Sequence, residues 1–232
     1  MISRQRISEA FERVAREFAD SASFQALLSG QQSQDQVREF VRNVVRSHFQ
    51  SPHFLAFLLS LLPTEEGGKL LKENMLEEMG LLVSDEKAHP ELLLDLVRGM
   101  EFSKDEIEQL IHESREQIRL LLAQPMLFPT LMEMGLGLLL TVVAIEYFLS
   151  RYSSKIASAL VEHYGVSKDD LEWFVLHGEV DIRHAEEGID TIADYIAFHQ
   201  VEDSRFEDVL RVAFAQNVLR QRYFPADKMV AS

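Results

Sequence analysis

The stretch from Met134 to Ile145 constrains this chain more than any other. It is twelve residues, MGLGLLLTVVAI, without a charge, closed by Glu133 on one side and Glu146 on the other. As a helix it rises about 18 Å, short of the roughly 30 Å hydrocarbon core of a bilayer. It is therefore expected to be the middle of a helix buried on all sides in a protein core. Such a helix needs other helices around it, and the rest of the chain offers them. Apolar residues recur at helical spacing nearly throughout, and no strand-like alternation bounded by turn residues appears.

Start and stop signals divide the chain into eight to ten predicted helices. The first runs from Arg4 to Asp20, and a short one covers Ser23–Leu28 and ends at Gly30. Ser33 caps a long helix that continues to Leu62 with a kink at Pro52. Pro63 and Thr64 open the next, which reaches Gly80, and Ser84 with Asp85 and Glu86 begins another that ends at Gly99. Ser103 and Glu106 form a capping-box pair for a helix that stops before Pro125. The apolar helix spans Phe128–Tyr152, a shorter piece covers Lys155–Tyr164, a long helix runs from Ser167 to His199, and the last from Asp203 to Tyr223. Connections are short, no repeat or low-complexity tract interrupts them, and the 232 residues suit one all-α domain.

Charge and composition narrow the function. With 38 Asp+Glu against 23 Lys+Arg the net charge is −15, a surface that repels nucleic acid and anionic membranes. There is no cysteine, which removes disulfides, thiol catalysis, iron–sulfur clusters and Cys-based zinc sites together. The first residues, MISRQRISEAFERVAREF, lack the apolar stretch of a signal peptide, and a cytoplasmic location is expected.

Three features carry chemistry. In His177-Gly-Glu-Val-Asp181-Ile-Arg-His184, positions i, i+4 and i+7 of a helix share one narrow face, so two imidazoles and a carboxylate point the same way, as a transition metal requires. Two surface histidines beside an aspartate give the same letters. Glu146 closes the apolar run, where a carboxylate is costly to desolvate unless it is paired or bound to metal; reaching water at the helix rim or pairing with Arg151 is the alternative. Glu77-Glu78-Met-Gly80 ends one helix and His89 opens the next, although glutamates on a polar face are commonly just solvated. Together, Glu77, Glu146 and Asp181 with His89, His177 and His184 make a set fit for two divalent ions, whose roughly four positive charges three carboxylates nearly balance. Nitrogen and oxygen donors without thiolate favour iron or manganese, and open coordination positions admit O2. The Glu-x-x-His motifs of ferritin-type bundles are not formed here, since Gly80 stands three residues after Glu77. Trp173 and Phe174 are read as core, His48 and His53 as core or polar surface, His112 and His199 as solvated, and Arg183 as a partner for a carboxylate.

In this order, Glu-Glu-x-Gly then His, a lone Glu on a central apolar helix, and His-x-x-x-Asp-x-x-His resemble the haem-oxygenase-like di-iron oxidases and oxygenases. DIRHAEEGID resembles the matching stretch of one member. The resemblance implies a haem-oxygenase-like bundle with a seven-helix core and two irons held by Glu77, His89, Glu146, His177, Asp181 and His184. It further implies O2 as co-substrate, an external electron donor and a small amino-acid or carboxylic-acid substrate oxidised by C–C cleavage, desaturation, N-oxygenation or nitrile formation in biosynthesis. A homodimer is also expected. Two departures stand out: VSDEKA lengthens the interval between Glu77 and His89, and Phe24 in SFQALLSGQQ occupies the place of a tyrosine that one branch consumes, which argues against that route here. Two other readings use the same residues. One is a non-catalytic binding module whose acidic surface takes a basic partner; the other is a mononuclear site of His177, Asp181, His184 and one Glu.

Overall fold

The computed structural model describes residues 2–63, 65–82, 87–122, 128–215 and 217–225, apart from the side chains of 66, 67 and 120–122. Among the described residues there are eleven α-helices, one 3-10 turn and no strand. In chain order the helices are α1 (Arg4–Ala19), α2 (Ala22–Leu28), α3 (Gln34–His48), α4 (Ser51–Leu59), α5 (Glu65–Glu78), α6 (His89–Gly99), α7 (Lys104–Leu122), α8 (Leu131–Tyr164), α9 (Glu172–Phe198), α10 (Asp203–Ala213) and α11 (Val218–Tyr223). The Ser33–Gln36 and Ser103–Glu106 capping pairs both form, each with a serine hydroxyl accepting from the backbone N–H three residues on. Gly80 (φ 65°) and Gly165 (φ 72°) adopt the left-handed conformation that stops α5 and α8.

Five boundaries differ from the sequence expectation, one of them the helix expected from Ser167, which starts at Glu172 after a 3-10 turn over Lys168–Asp170. In place of the two helices expected between Phe128 and Tyr164 there is one, Leu131–Tyr164, of 34 residues. Ser153, where a break was expected, is fully buried and does not interrupt the helix, because serine without glycine or proline leaves the backbone ladder intact. The helix opened by Ser33 ends at His48, and α4 starts anew after Gln50 with Pro52 in its first turn, where proline's missing N–H costs nothing. The C-terminal helix splits at Asn217, whose φ of 49° is non-helical and whose side chain caps α11. The helix expected from Ser84 begins at His89, with Ala88 as its N-cap. Thr64, Ser84 to Glu86, Pro125 and Met126 lie outside the described residues.

Helix α8 is the axis of the fold. It is long and apolar enough to cross a membrane by length and composition, yet 78% of its most apolar 18-residue window is buried inside the protein, so its apolar character is accounted for by packing. Its main neighbour is α9, and small residues bring the two close: a Cβ at Gly188 would lie 2.5 Å from Val143 Cγ2, and one at Gly178 would lie 2.5 Å from Ser154 Oγ. On the opposite flank, Phe18, Phe24, Phe148 and Tyr223 pack α1, α2, α8 and α11 into an aromatic core, with ring centroids 5.0–5.8 Å apart. Phe24 belongs to this core and makes edge contact with Tyr152. The α8–α9 pair thus stands rigid between the aromatic core and α5 and α6, which pack on α9.

Candidate metal centre

One face of α9 carries Trp173, His177, Asp181 and His184, all buried, while Ile182 and Arg183 between them point outward. The last turn of α5 crosses this face and brings two consecutive glutamates to it. Successive helical residues diverge by about 100°, so Glu77 and Glu78 reach different turns of α9. Glu78 lies by the first: its Oε1 is 3.7 Å from His177 Nε2 and 3.1 Å from Nδ1 of His89, the first residue of α6. The donor atoms of Glu78, His89 and His177 all lie within 4.8 Å of one another. Glu77 lies by the last turn: its Oε2 accepts from His184 Nε2 at 3.1 Å, and His184 Nδ1 is 3.4 Å from Asp181 Oδ1. Arg183 pairs with Glu77 from the solvent side. Glu146, from α8, accepts a 2.8 Å hydrogen bond from Asn74 Nδ2, one helical turn before Glu78.

Several details mark donors turned toward a shared point rather than toward each other. His177 Nδ1–H donates to the carbonyl of Trp173 at 2.7 Å, so Nε2 is the ring nitrogen that faces Glu78. That is the usual arrangement of a metal-bound imidazole. His89 is 1% exposed, yet its Nε2 has no partner and its Nδ1 has only the ion-pair contact with Glu78, and Asp181 Oδ2 is likewise buried without a hydrogen bond. Proteins seldom leave buried polar atoms unpaired unless another ligand engages them. The donor set, oxygens and imidazole nitrogens without sulfur, is one that iron accepts.

The electrostatics reflect the same crowding. Burial alone would raise the Glu78 carboxyl, but His89 and His177 hold it well below the ordinary range. Hydrogen bonding from His184 lowers Glu77 despite its partial burial. Burial opposes the charged form of His184, but Asp181 and Glu77 outweigh it and push its pKa up to about 10; His177 is raised against burial too, chiefly by Asp181. Glu146 goes the other way: desolvation, with the charge of Asp181 adding to it, lifts it to about 7 despite His184 and Asn74.

A cavity of about 650 Å³ opens onto these residues, within the range of small-molecule sites. Glu78, Glu146, His177 and Asp181 form part of its wall; Phe54, Leu55, Leu138, Ile145 and Leu149 supply apolar surface.

All six residues singled out in the sequence fall in this region, on four helices. Glu78 is the residue that sequence reasoning passed over. It was read with Glu77 as a single polar pair, yet it forms the tightest group with His89 and His177. Its signal was the adjacency itself, because two neighbouring glutamates at a helix end reach both sides of a crossing point. Asn74, one turn earlier, gave no signal. Trp173 and Phe174 are core, as expected, and Trp173 stacks on His177 with centroids 4.0 Å apart. His48 is buried, its ring beside Trp173 and hydrogen-bonded to Tyr223, whereas His112 is exposed. Glu146 does not pair with Arg151, which lies over the Tyr147 ring and near Glu12.

A model of the family described as iron-containing redox enzymes, haem-oxygenase-like in fold, matches residues 38–215. That interval contains every residue of the cluster. No curated protein matches the chain.

Proposed function

We propose that this chain, which belongs to the family of iron-containing redox enzymes, is a non-haem di-iron oxidase or oxygenase acting on a small amino-acid or carboxylic-acid substrate. The observation that carries the reading is the buried gathering of Glu78, His89 and His177 within 4.8 Å, with His89 lacking any other partner. Glu78, His89 and His177 would hold one iron; Glu77, Asp181 and His184 would hold the second, with Glu146 beside both. Bound there, iron supplies the one-electron chemistry that lets O2 react with an organic molecule, which no side chain of this protein supplies alone.

The protein's own residues do the rest. The Trp173 carbonyl orients His177, Arg183 restrains Glu77, and Asn74 fixes one oxygen of Glu146. In the metal-free protein, burial raises the Glu146 carboxyl to about 7, so it can hold a proton beside the cavity. Phe54, Leu138 and Ile145 line the approach with apolar surface and keep water from the reacting groups. The working protein is taken to be cytoplasmic and a single domain, reduced by an external electron donor.

The test is anaerobic titration with ferrous iron, followed by admission of O2 with a reductant. Two irons per chain and O2 uptake that stops when iron is chelated are expected. One iron per chain favours a mononuclear site, held by Glu78, His89 and His177 rather than by the His177–Asp181–His184 set expected from the sequence. No iron and no O2 uptake would leave a binding module.

A further inference from the structure

The cavity beside the candidate metal centre is polarised. Its only acidic wall residues among the described ones are Glu78, Glu146 and Asp181, all in the cluster already described. Three arginines, Arg46, Arg211 and Arg222, line it elsewhere. Two of them are neutralised. Arg46 pairs with Glu113 at 2.5 Å and with Glu39 at 2.9 Å, and Arg211 pairs with Asp208 at 2.9 Å. Arg222, on α11, has no carboxylate within ion-pair distance among the described residues. Its one hydrogen bond there is a long one, from Nη1 to the Ser47 carbonyl at 3.4 Å. A guanidinium offers five donors, and among the described residues only this one meets a protein acceptor. Desolvation lowers its pKa, as expected for a partly buried cation with no counter-charge among the described residues.

The position of Arg222 relative to the cluster follows from the rings between them. Its neighbour Tyr223 hydrogen-bonds His48 at 2.8 Å, His48 lies on Trp173 with centroids 4.9 Å apart, and Trp173 lies on His177. The guanidinium, which has no carboxylate partner among the described residues, and the carboxylate–imidazole cluster line one cavity, with Tyr223, His48 and Trp173 in series from α11 to His177.

We propose that Arg222 anchors the acid group of the substrate, a monocarboxylic acid without an α-ammonium group, whose apolar body fills the cavity and whose far end meets the metal centre. An ammonium beside the acid group would lie among arginines with no free carboxylate among the described residues to receive it, so the cavity selects against amino acids. Oxidation is accordingly directed to carbon remote from the carboxylate. This rests on the reading of the cluster as the reacting centre.

The experiment measures binding to the full chain by calorimetry, iron-loaded under argon and again after chelation, with octanoate, octan-1-ol, 2-aminooctanoate and octyl phosphate. Octanoate is expected to bind most tightly in both forms. R222M should weaken it by about 10- to 100-fold, the loss of a charge-assisted contact, with no effect on octan-1-ol, and R222K should retain part of the affinity. Iron content of R222M should equal the parent's. The proposal is overturned if octan-1-ol or 2-aminooctanoate binds as well as octanoate, or if R222M binds octanoate like the parent. Preference for octyl phosphate would also overturn it, in favour of a phosphate monoester. Should R222M fail to fold, R222K and the ligand series on the parent decide the matter. A parent chain that binds octanoate through Arg222 but takes up no iron would remove the iron reading and leave the anion site standing.

Discussion

Replacing Glu78 with alanine is expected to abolish high-affinity iron binding as completely as H177A. The reasoning is geometric. Among the described residues, Glu78 is the one carboxylate within ion-pair distance of both His89 and His177, and it is almost fully buried, with its charge held by those two imidazoles. Without it, the two imidazoles lose the carboxylate that lies between them. Supporting residues outside a metal's own shell typically cost 10- to 100-fold in affinity; loss of Glu78 should exceed about 100-fold. An H112A variant, altered at an exposed histidine, should bind iron like the parent. Anaerobic titration reads the affinity, and far-UV circular dichroism checks that the helices persist. An E78A chain that fills with iron like the parent would remove Glu78 from the centre.

The second large effect concerns stability. In the metal-free chain burial raises the Glu146 carboxyl to about 7, from an ordinary 4.5. The folded form thus holds this proton more tightly than the unfolded chain. Its contribution to stability is fully present below about pH 4.5 and is lost as pH rises through about 7. The loss amounts to about 3 kcal/mol. E146Q keeps an oxygen to accept from Asn74 and removes the ionisation. The metal-free variant should therefore melt roughly 6–12 °C above the parent at pH 8, with the two converging at pH 4.5, while binding iron less well. Thermal unfolding followed across that pH range measures it. Equal melting temperatures at pH 8, or a gap that persists unchanged at pH 4.5, would show that the Glu146 charge is not strained in the fold. A protein more stable without this carboxylate than with it would be retaining it for function.

Much of the fold was legible because its causes are local. The apolar run of α8 requires burial, Ser33 and Ser103 act through bonds three residues away, and Gly80 and Gly165 stop helices by a conformation other residues avoid. The errors lie where tertiary packing overrides a local signal, as at Ser153, held helical inside the core, or at Asn217, which ends α10 and caps α11. The centre was legible on α9, where His177, Asp181 and His184 share a face by periodicity alone. It was half legible on α5, because which of two adjacent glutamates meets His89 depends on the angle at which α5 crosses α9, a quantity no spacing encodes. Arg222 could not have been found from sequence, since nothing in QRYF tells which arginine lacks a counter-charge; that emerges only when Glu113, Glu39 and Asp208 are seen to be committed to its neighbours.

The most direct test of the central claim is anomalous diffraction at the iron absorption edge from crystals of the iron-loaded protein. Two peaks are predicted, one bounded by Glu78, His89 and His177 and the other by Glu77, Asp181 and His184, with Glu146 beside them. Iron bound elsewhere, or these side chains turned away from it, would contradict the account.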